Sequence, residues 1–183
     1  MKKLLLILLL SLGLFGSSYA DTKTETECSN LIISSDKAFK ESKYNTAFED
    51  YYKLFGKCYS ISNQKIPYSK AMLNLAWMLE NGKGTFTSPV KALEVYGSVL
   101  DEPETYDEYM LTTAVLTKAI PLLFRLESNG NITEEDFNEA LEETIEFMWG
   151  LYIGNENVPD FDKKIIRELW EKHNLWLFEN YEF

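Results

Sequence analysis

The stretch from Pro67 to Leu100 constrains the fold of this chain most, because it reads as two helices around a turn that favours glycine. Its first half places apolar residues at helical spacing on one face: Ala71, Leu75, Met78 and Leu79. Gly82 and Gly84 end this helix, since glycine adopts the left-handed conformation of a helix C-terminus at little steric cost. Ser88 can cap the next helix, and Pro89 fits its first position. The stretch predicts an antiparallel helical hairpin.

The second helix of this hairpin carries its own apolar stripe, formed by Ala92, Val95, Tyr96 and Val99. Ala76 in the first helix and Ala92 in the second are small residues at the expected crossing of the two helices. We therefore expect a close helix–helix contact at these two positions.

The order of these residues resembles a Sel-one-like repeat, a relative of the tetratricopeptide repeat. The matching positions are Ala76, Gly82, Gly84, Ala92 and Tyr96, within about 35 residues that keep the G-x-G turn and the later K-A-L-x-x-Y spacing. One departure is Trp77, a bulkier aromatic than the family pattern has beside the small residue. A single repeat cannot bury both of its faces, so the resemblance implies that neighbouring helices stack on it.

The segment upstream is similar to the turn and second helix of a tetratricopeptide repeat, with Tyr44, Ala47 and Tyr51 in the pattern positions. Ala47 would then be equivalent to Ala92, and the preceding helix would be lined by Leu31, Ser35 and Ala38. The alternative is two ordinary amphipathic helices. The resemblance implies an all-α fold, in which a tetratricopeptide-like hairpin (28–61) and a Sel-one-like repeat (67–100) stack in a short right-handed solenoid with additional C-terminal helices (101–183).

The first 20 residues predict a signal peptide. Lys2 and Lys3 precede an apolar run of 12 residues, Leu4–Phe15, which is short for a bilayer span, and Ser18-Tyr19-Ala20 resembles a cleavage site. Residues 21–183 are then predicted to form a single all-helical domain, periplasmic or secreted, with no membrane anchor after cleavage.

The cysteine pair left after export, Cys28 and Cys58, falls near the start of one predicted helix and the end of the next. Those ends are neighbours in an antiparallel pair, so an oxidising compartment would favour a disulfide bond. The alternative is two buried thiols. A zinc site is a poorer interpretation, because only one distant histidine is available.

The chain is acidic, with a net charge of −11, or −13 without Lys2 and Lys3. This charge disfavours nucleic acid as a partner and suits a basic protein, although it also serves solubility. Residues 101–147 hold 13 acidic residues against Lys118 and Arg125. Among these acids, Glu134, Glu135 and Asp136 are candidates for contacting a partner; with Thr133 they also fit a helix-capping box.

The C-terminal half predicts three further helices, beginning near Tyr106, Thr133 and Pro159, with a kink expected at Pro121. The whole chain predicts about seven helices and no strand. Gly154-Asn155 is expected to end the second of these three helices.

We predict no catalytic or cofactor site, and we interpret the chain as a non-enzyme. The loop around Gly130 superficially resembles a calcium loop, but its first ligand position is the cation Arg125. His173 is expected to be a half-exposed surface residue.

The family resemblance instead implies a module that binds a protein partner through a helical face, and abundant tyrosine and tryptophan favour this role. The alternative is an immunity or inhibitor protein that neutralises a toxin or hydrolase; the partner and the oligomeric state stay open.

Overall fold

The computed structural model describes residues 22–58, 65–100, 106–153, 158, 160–173 and 175. The described residues contain seven helices and no strand, which confirms the predicted all-α class. Numbered along the chain, the helices are α1 (Thr22–Lys40), α2 (Tyr44–Lys57), α3 (Lys65–Asn81), α4 (Pro89–Gly97), α5 (Tyr106–Ser128), α6 (Glu134–Ile153) and α7 (Asp160–Lys172). The predicted signal peptide (1–20), the acidic turn at 101–105 and the helix stop at Gly154-Asn155 lie outside the described residues.

The chain divides into two compact units, Met1–Val99 and Leu100–Phe183. The first, called unit 1, contains α1–α4; the second, unit 2, contains α5–α7.

Unit 1 consists of two successive helical hairpins. Helix α1 packs against α2 and α3 packs against α4, while α3 also contacts both helices of the first hairpin. Ala76 and Ala92, which were predicted at a close helix crossing, and Ala47, the predicted equivalent of Ala92, are fully buried. The largest fully buried side chains of this unit are Tyr51, Leu54, Met72, Leu75 and Met78. Removal of these apolar groups from water supplies the main driving force for folding.

The predicted disulfide bond is confirmed. Cys28 in α1 is bonded to Cys58, the residue that follows α2, and their Cα atoms are 5.9 Å apart. Both half-cystines are buried. The Lys57 ammonium and the Glu27 carboxylate form an ion pair at 2.6 Å next to the bond. Antiparallel packing thus brings the start of α1 to the end of α2, and bonded cysteines are typical of oxidising compartments.

The turn of each hairpin has a residue in the left-handed region. Ser42 (φ 58°) follows α1, and Gly82 (φ 61°) follows α3. In both turns the next amide donates to the carbonyl five residues before it: Lys43 to Ala38 at 2.9 Å, and Lys83 to Met78 at 3.0 Å. These bonds satisfy carbonyl groups that the helix end would otherwise leave unpaired.

Gly84 brings the two turns together. It also has a positive φ of 72°, and a Cβ atom built on it would lie 2.2 Å from the carbonyl oxygen of Tyr44. Only a residue without a side chain fits this contact, because real Cβ atoms do not approach an oxygen so closely. The second turn therefore rests on the first residue of α2.

Unit 2 contains α5, α6 and α7, and each of the three contacts the other two. Its largest fully buried side chains are Leu116, Ile120, Leu122, Leu126, Leu141, Ile145 and Trp170. Pro121 lies inside α5, which is assigned as one helix from Tyr106 to Ser128. Ring contacts join Phe124 to Phe137 at 5.1 Å and Trp149 to Trp170 at 6.1 Å between centroids.

Helix α5 is long and apolar enough to cross a membrane by length and composition alone, over Asp107–Ser128. The core helices of soluble proteins pass the same test. In this protein, 56% of the apolar window of α5 is buried inside the structure.

Candidate functional site

A buried tyrosine links the first three helices through its hydroxyl group. Tyr51 in α2 is fully buried; its Oη donates to Asp36 Oδ1 of α1 at 2.6 Å and accepts from Asn74 Nδ2 of α3 at 2.9 Å. Burial, followed by the hydrogen bond to the Asp36 carboxylate, raises the pKa of Tyr51 well above its usual range. The neutral hydroxyl of Tyr51 therefore connects α2 to α1 and α3 through two hydrogen bonds.

One surface feature of unit 1 is a line of aromatic rings along α2, which we call the α2 stripe: Phe48, Tyr52 and Phe55. The Phe48 and Tyr52 rings stack with centroids 5.6 Å apart, and Tyr52 and Phe55 are 6.4 Å apart. Tyr52 is 46% exposed. From α4, the Lys91 ammonium lies 5.5 Å from the Phe55 ring centroid and pairs with Glu94. Lys91 of the second hairpin thus borders the Phe55 end of the stripe.

A second surface feature lies where the two hairpin turns meet. Phe39, near the end of α1, contacts Tyr44 at 5.8 Å and Trp77 of α3 at 5.6 Å between centroids. The Tyr44 and Trp77 rings are 6.2 Å apart. Trp77 is 37% exposed, and the Lys83 ammonium lies 5.8 Å from the Tyr44 ring centroid. We call the rings of Phe39, Tyr44 and Trp77, together with the lysines of the two turns, Lys43 and Lys83, the turn-end surface.

The predicted repeat positions all lie in unit 1. Besides the three buried alanines, Tyr96 is 2% exposed, and Gly82 and Gly84 make the turn with positive φ. Ser88 is the residue before α4, and Pro89 begins that helix as expected. The Ser88 hydroxyl makes no capping hydrogen bond.

The candidate acids of unit 2 lie in the first turn of α6. Glu134 and Glu135 are exposed, whereas Asp136 is half-buried. The Asp136 amide donates to Thr133 Oγ1 at 3.1 Å, and the Thr133 hydroxyl donates to Asp136 Oδ2 at 2.7 Å. Asp136 is therefore committed to the helix cap, which leaves the two glutamates to face solvent.

Further along the same helix, burial, followed by the nearby Glu139, Glu146 and Glu142 carboxylates, raises the pKa of Glu143. Helix α6 contains seven acidic and no basic residues, so its negative charge is concentrated.

The sole histidine has an aromatic neighbour. His173 follows α7, is half-buried, and its ring centroid lies 4.8 Å from that of Phe124. Burial, followed by the neighbouring Lys172, lowers the pKa of His173. The half-exposed position agrees with the sequence-based expectation.

Asp162, in the first turn of α7, was not predicted as a buried residue. Its side chain is fully buried, and neither carboxylate oxygen has a hydrogen-bond partner among the residues that the structure describes.

Metal-ligating side chains do not gather within the described part of the chain. No group of three or more His, Cys, Asp or Glu side chains there could hold a metal ion. In the loop that superficially resembles a calcium site, Gly130 has φ 67° and Asn131 donates to the Leu126 carbonyl at 2.9 Å, as in a helix C-terminal turn. Arg125 is exposed in the last turn of α5.

Sequence reasoning missed two features of unit 1. One is the hydrogen-bonded set of Asp36, Tyr51 and Asn74, and the other is the central position of Phe39 among aromatic rings. Phe39 directly follows Ala38, a predicted core residue, so its position on α1 was the one available signal.

The chain matches no protein-family model, and comparison with the curated proteins and with the solved structures finds no match.

Proposed function

We propose that this protein is a binding module that holds a protein partner on a helical face of unit 1. The observation that carries this proposal is the α2 stripe, whose three rings follow one another on the surface with Tyr52 46% exposed. Tyrosine and other aromatic side chains anchor protein interfaces, because they bury a large area while losing little conformational entropy. The proposed role is binding without catalysis.

The arrangement of the hairpins supports a repeat origin for this module. A helix that packs on both helices of the preceding hairpin, as α3 packs on α1 and α2, is what stacked tetratricopeptide-like and Sel-one-like repeats require. We infer that residues 28–61 and 67–100 are two such repeats in a short right-handed solenoid. The Gly84 contact with Tyr44 would then fix the spacing between repeats.

We infer an exported protein as the setting for this role. The disulfide bond between Cys28 and Cys58 supports an oxidising compartment, and the N-terminal apolar segment supports delivery to the periplasm or outside the cell. In this proposal the mature chain has no membrane anchor.

The acidic α6 favours a more specific second function, that of an immunity or inhibitor protein. Glu134 and Glu135 are exposed at the start of a helix whose further glutamates repel one another. Such a field attracts a basic surface and suits the neutralisation of a basic toxin or hydrolase.

Affinity capture from an extract of the source cells tests the proposed function. The immobilised protein residues 21–183 should retain a defined partner, and Tyr52→Ala should weaken its binding by about tenfold or more. Lys53→Ala, an exposed neighbour on α2, is the matched control and should leave binding unchanged. Equal retention by both variants would contradict a role for the α2 stripe. The identity of the retained partner separates a toxin or hydrolase from other proteins.

A further inference from the structure

We propose that the turn-end surface of unit 1 binds an acidic segment of a partner protein that also presents an apolar side chain. This site shares no residue with the α2 stripe and is opposite in charge to the acidic α6. It therefore goes beyond the proposed function and can be tested independently of it.

The aromatic part of the site is built from three different segments of the chain. The rings of Phe39, Tyr44 and Trp77 all contact one another, and Phe39 meets the other two edge to face, at interplanar angles of 74° and 79°. Phe39 and Tyr44 are half-buried and Trp77 is 37% exposed. The rings are thus held in place by one another while part of their area faces solvent. Rings fixed in this way can accept an apolar side chain at a small entropic cost.

The backbone contact between Gly84 and Tyr44 makes the site continuous across the two turns. It places Lys83 over the Tyr44 ring, at 5.8 Å from the centroid. Two residues beyond Gly84, the Phe86 side chain is 93% exposed, although apolar rings are usually covered. The second turn therefore adds a cation and an uncovered ring to the aromatic cluster.

The charge of this region is opposite to that of the chain as a whole. Residues 37–45 and 77–88 contain four lysines and two acids, whereas the complete chain has 18 basic and 29 acidic residues. All four lysines are exposed: Lys37, Lys40, Lys43 and Lys83. One of the two acids, Glu41, is paired with Lys43 at 2.6 Å. The region thus carries an excess of positive charge at the surface.

Stabilisation of a helix end explains the presence of only two of these four lysines. Lys37 and Lys40 lie in the last turn of α1, where a cation stabilises the helix dipole. Lys43 and Lys83 lie in the two turns, outside any helix. Hydrogen bonding and attraction from Lys43, with a further contribution from Lys37, lower the pKa of the Glu41 carboxyl. Lys43 of the first turn and Lys37 at the end of α1 therefore act on the same anionic group.

An acidic protein segment satisfies both halves of this site, since its carboxylates can pair with the lysines and an apolar side chain can cover the rings. An anionic membrane is the other surface with this chemistry. The ring cluster favours the peptide, because Phe39 and Tyr44 are half-buried and Phe39 packs edge to face on both Tyr44 and Trp77. These three rings are held for one apolar side chain, and of the four rings at the site only Phe86 projects almost fully into solvent. Charge complementarity with α6 of another copy is a further possibility that the test addresses.

Fluorescence anisotropy with a labelled synthetic peptide of alternating glutamate and leucine residues tests the proposal on the intact protein. We expect saturable binding of the peptide. Its affinity should fall about tenfold or more in Lys43→Glu/Lys83→Glu, because each reversed charge replaces attraction to the peptide glutamates by repulsion. The matched control, Lys53→Glu/Lys70→Glu, makes the same change in net charge at exposed positions of α2 and α3 and should have little effect. A peptide with serine in place of leucine should also bind more weakly.

Four results would overturn the proposal. The first is absence of peptide binding, and the second is an equal loss of binding in the test and control variants. The third is binding of phosphatidylglycerol vesicles, but not of the peptide, that depends on Lys43 and Lys83. The fourth is self-association in analytical ultracentrifugation that the Lys43/Lys83 variant abolishes, which would identify a second copy as the occupant. The Tyr52→Ala variant should bind the peptide normally, so failure here is separable from failure of the α2 stripe.

Discussion

Gly84 lies against Tyr44 so closely that a Cβ atom on the glycine would come within 2.2 Å of the tyrosine carbonyl oxygen. This contact joins the turn of the second hairpin to the first residue of α2. The position therefore requires glycine for two reasons, which are its positive φ of 72° and the lack of space for a side chain.

Replacement of Gly84 by alanine should therefore destabilise unit 1 strongly. We expect a loss of about 3 kcal/mol, from left-handed strain together with overpacking against the Tyr44 backbone. Gly130→Ala is the matched control, because Gly130 has a similar φ of 67° and nothing within 4 Å of its Cβ position. The control should cost only about 1–2 kcal/mol. Urea unfolding measures both losses, and equal values would show that the contact between the turns contributes nothing.

Removal of the disulfide bond should lower the stability of unit 1. The bond closes a loop with a sequence separation of 30 residues, so Cys28→Ala/Cys58→Ala should cost about 3–4 kcal/mol through greater entropy of the unfolded chain. Thermal unfolding with and without a reducing agent gives the measurement. The reducing agent should shift the wild-type curve and leave that of the double variant in place. Two freely alkylated thiols in native material would contradict the bond itself.

Substitution of Ala92 should test the close helix crossing. Ala92 is fully buried between the helices of the second hairpin, and Ala92→Leu should cost about 1–3 kcal/mol through overpacking. Ala140→Leu, at a half-buried position of α6, is a suitable control that should change stability less. An unchanged melting temperature for Ala92→Leu would contradict the assignment of this position as a crossing.

The Tyr51 hydroxyl should make stability depend on alkaline pH. The pKa of Tyr51 is raised above 10.0 in the folded protein, so its contribution is complete below pH 10 and is lost as the pH rises above that value. Tyr51→Phe should cost about 1–3 kcal/mol at neutral pH, because the Asp36 and Asn74 groups lose a buried partner. The variant should also lose stability less steeply above pH 10 than wild type. Parallel pH profiles of the two proteins would show that Tyr51 does not cause this dependence.

The acids at the start of α6 should speed association with a basic partner. Glu134→Lys/Glu135→Lys should lower the on-rate, and raised salt should do the same in wild type, since screening acts over about 8 Å at physiological ionic strength. The off-rate should change less. Asp136→Ala is the control for the helix cap, because it removes the side chain that accepts from the Thr133 hydroxyl and should lower the melting temperature more than the on-rate. An on-rate that does not change with salt concentration would show that these acids contribute to solubility and not to association.

The sequence by itself indicated the all-helical class, the turns at Gly82 and Gly130, and a disulfide bond as the favoured state of Cys28 and Cys58. It did not indicate that α1 begins as early as Thr22 or α3 at Lys65. The features that it indicated depend on local physics: apolar periodicity of a few residues, glycine where φ is positive, and a cap formed within one turn, as between Thr133 and Asp136. The Cys28–Cys58 pair followed from the same reasoning, because an antiparallel hairpin places its two free ends side by side. Ser88 shows that sequence position alone does not predict a helix cap. The residue directly precedes α4, but its hydroxyl makes no capping hydrogen bond.

Which side chains of different helices contact one another was decided only by the tertiary structure. Tyr51 meets Asp36 and Asn74 across sequence separations of 15 and 23 residues, and Phe39 meets Trp77 across a longer one. Helical periodicity defines which face of a helix is apolar, but the rotation and offset of one helix on another depend on how whole side chains interlock. Gly84 combines both levels: its sequence position marks a turn, and the packing of that turn on Tyr44 explains why no side chain fits there.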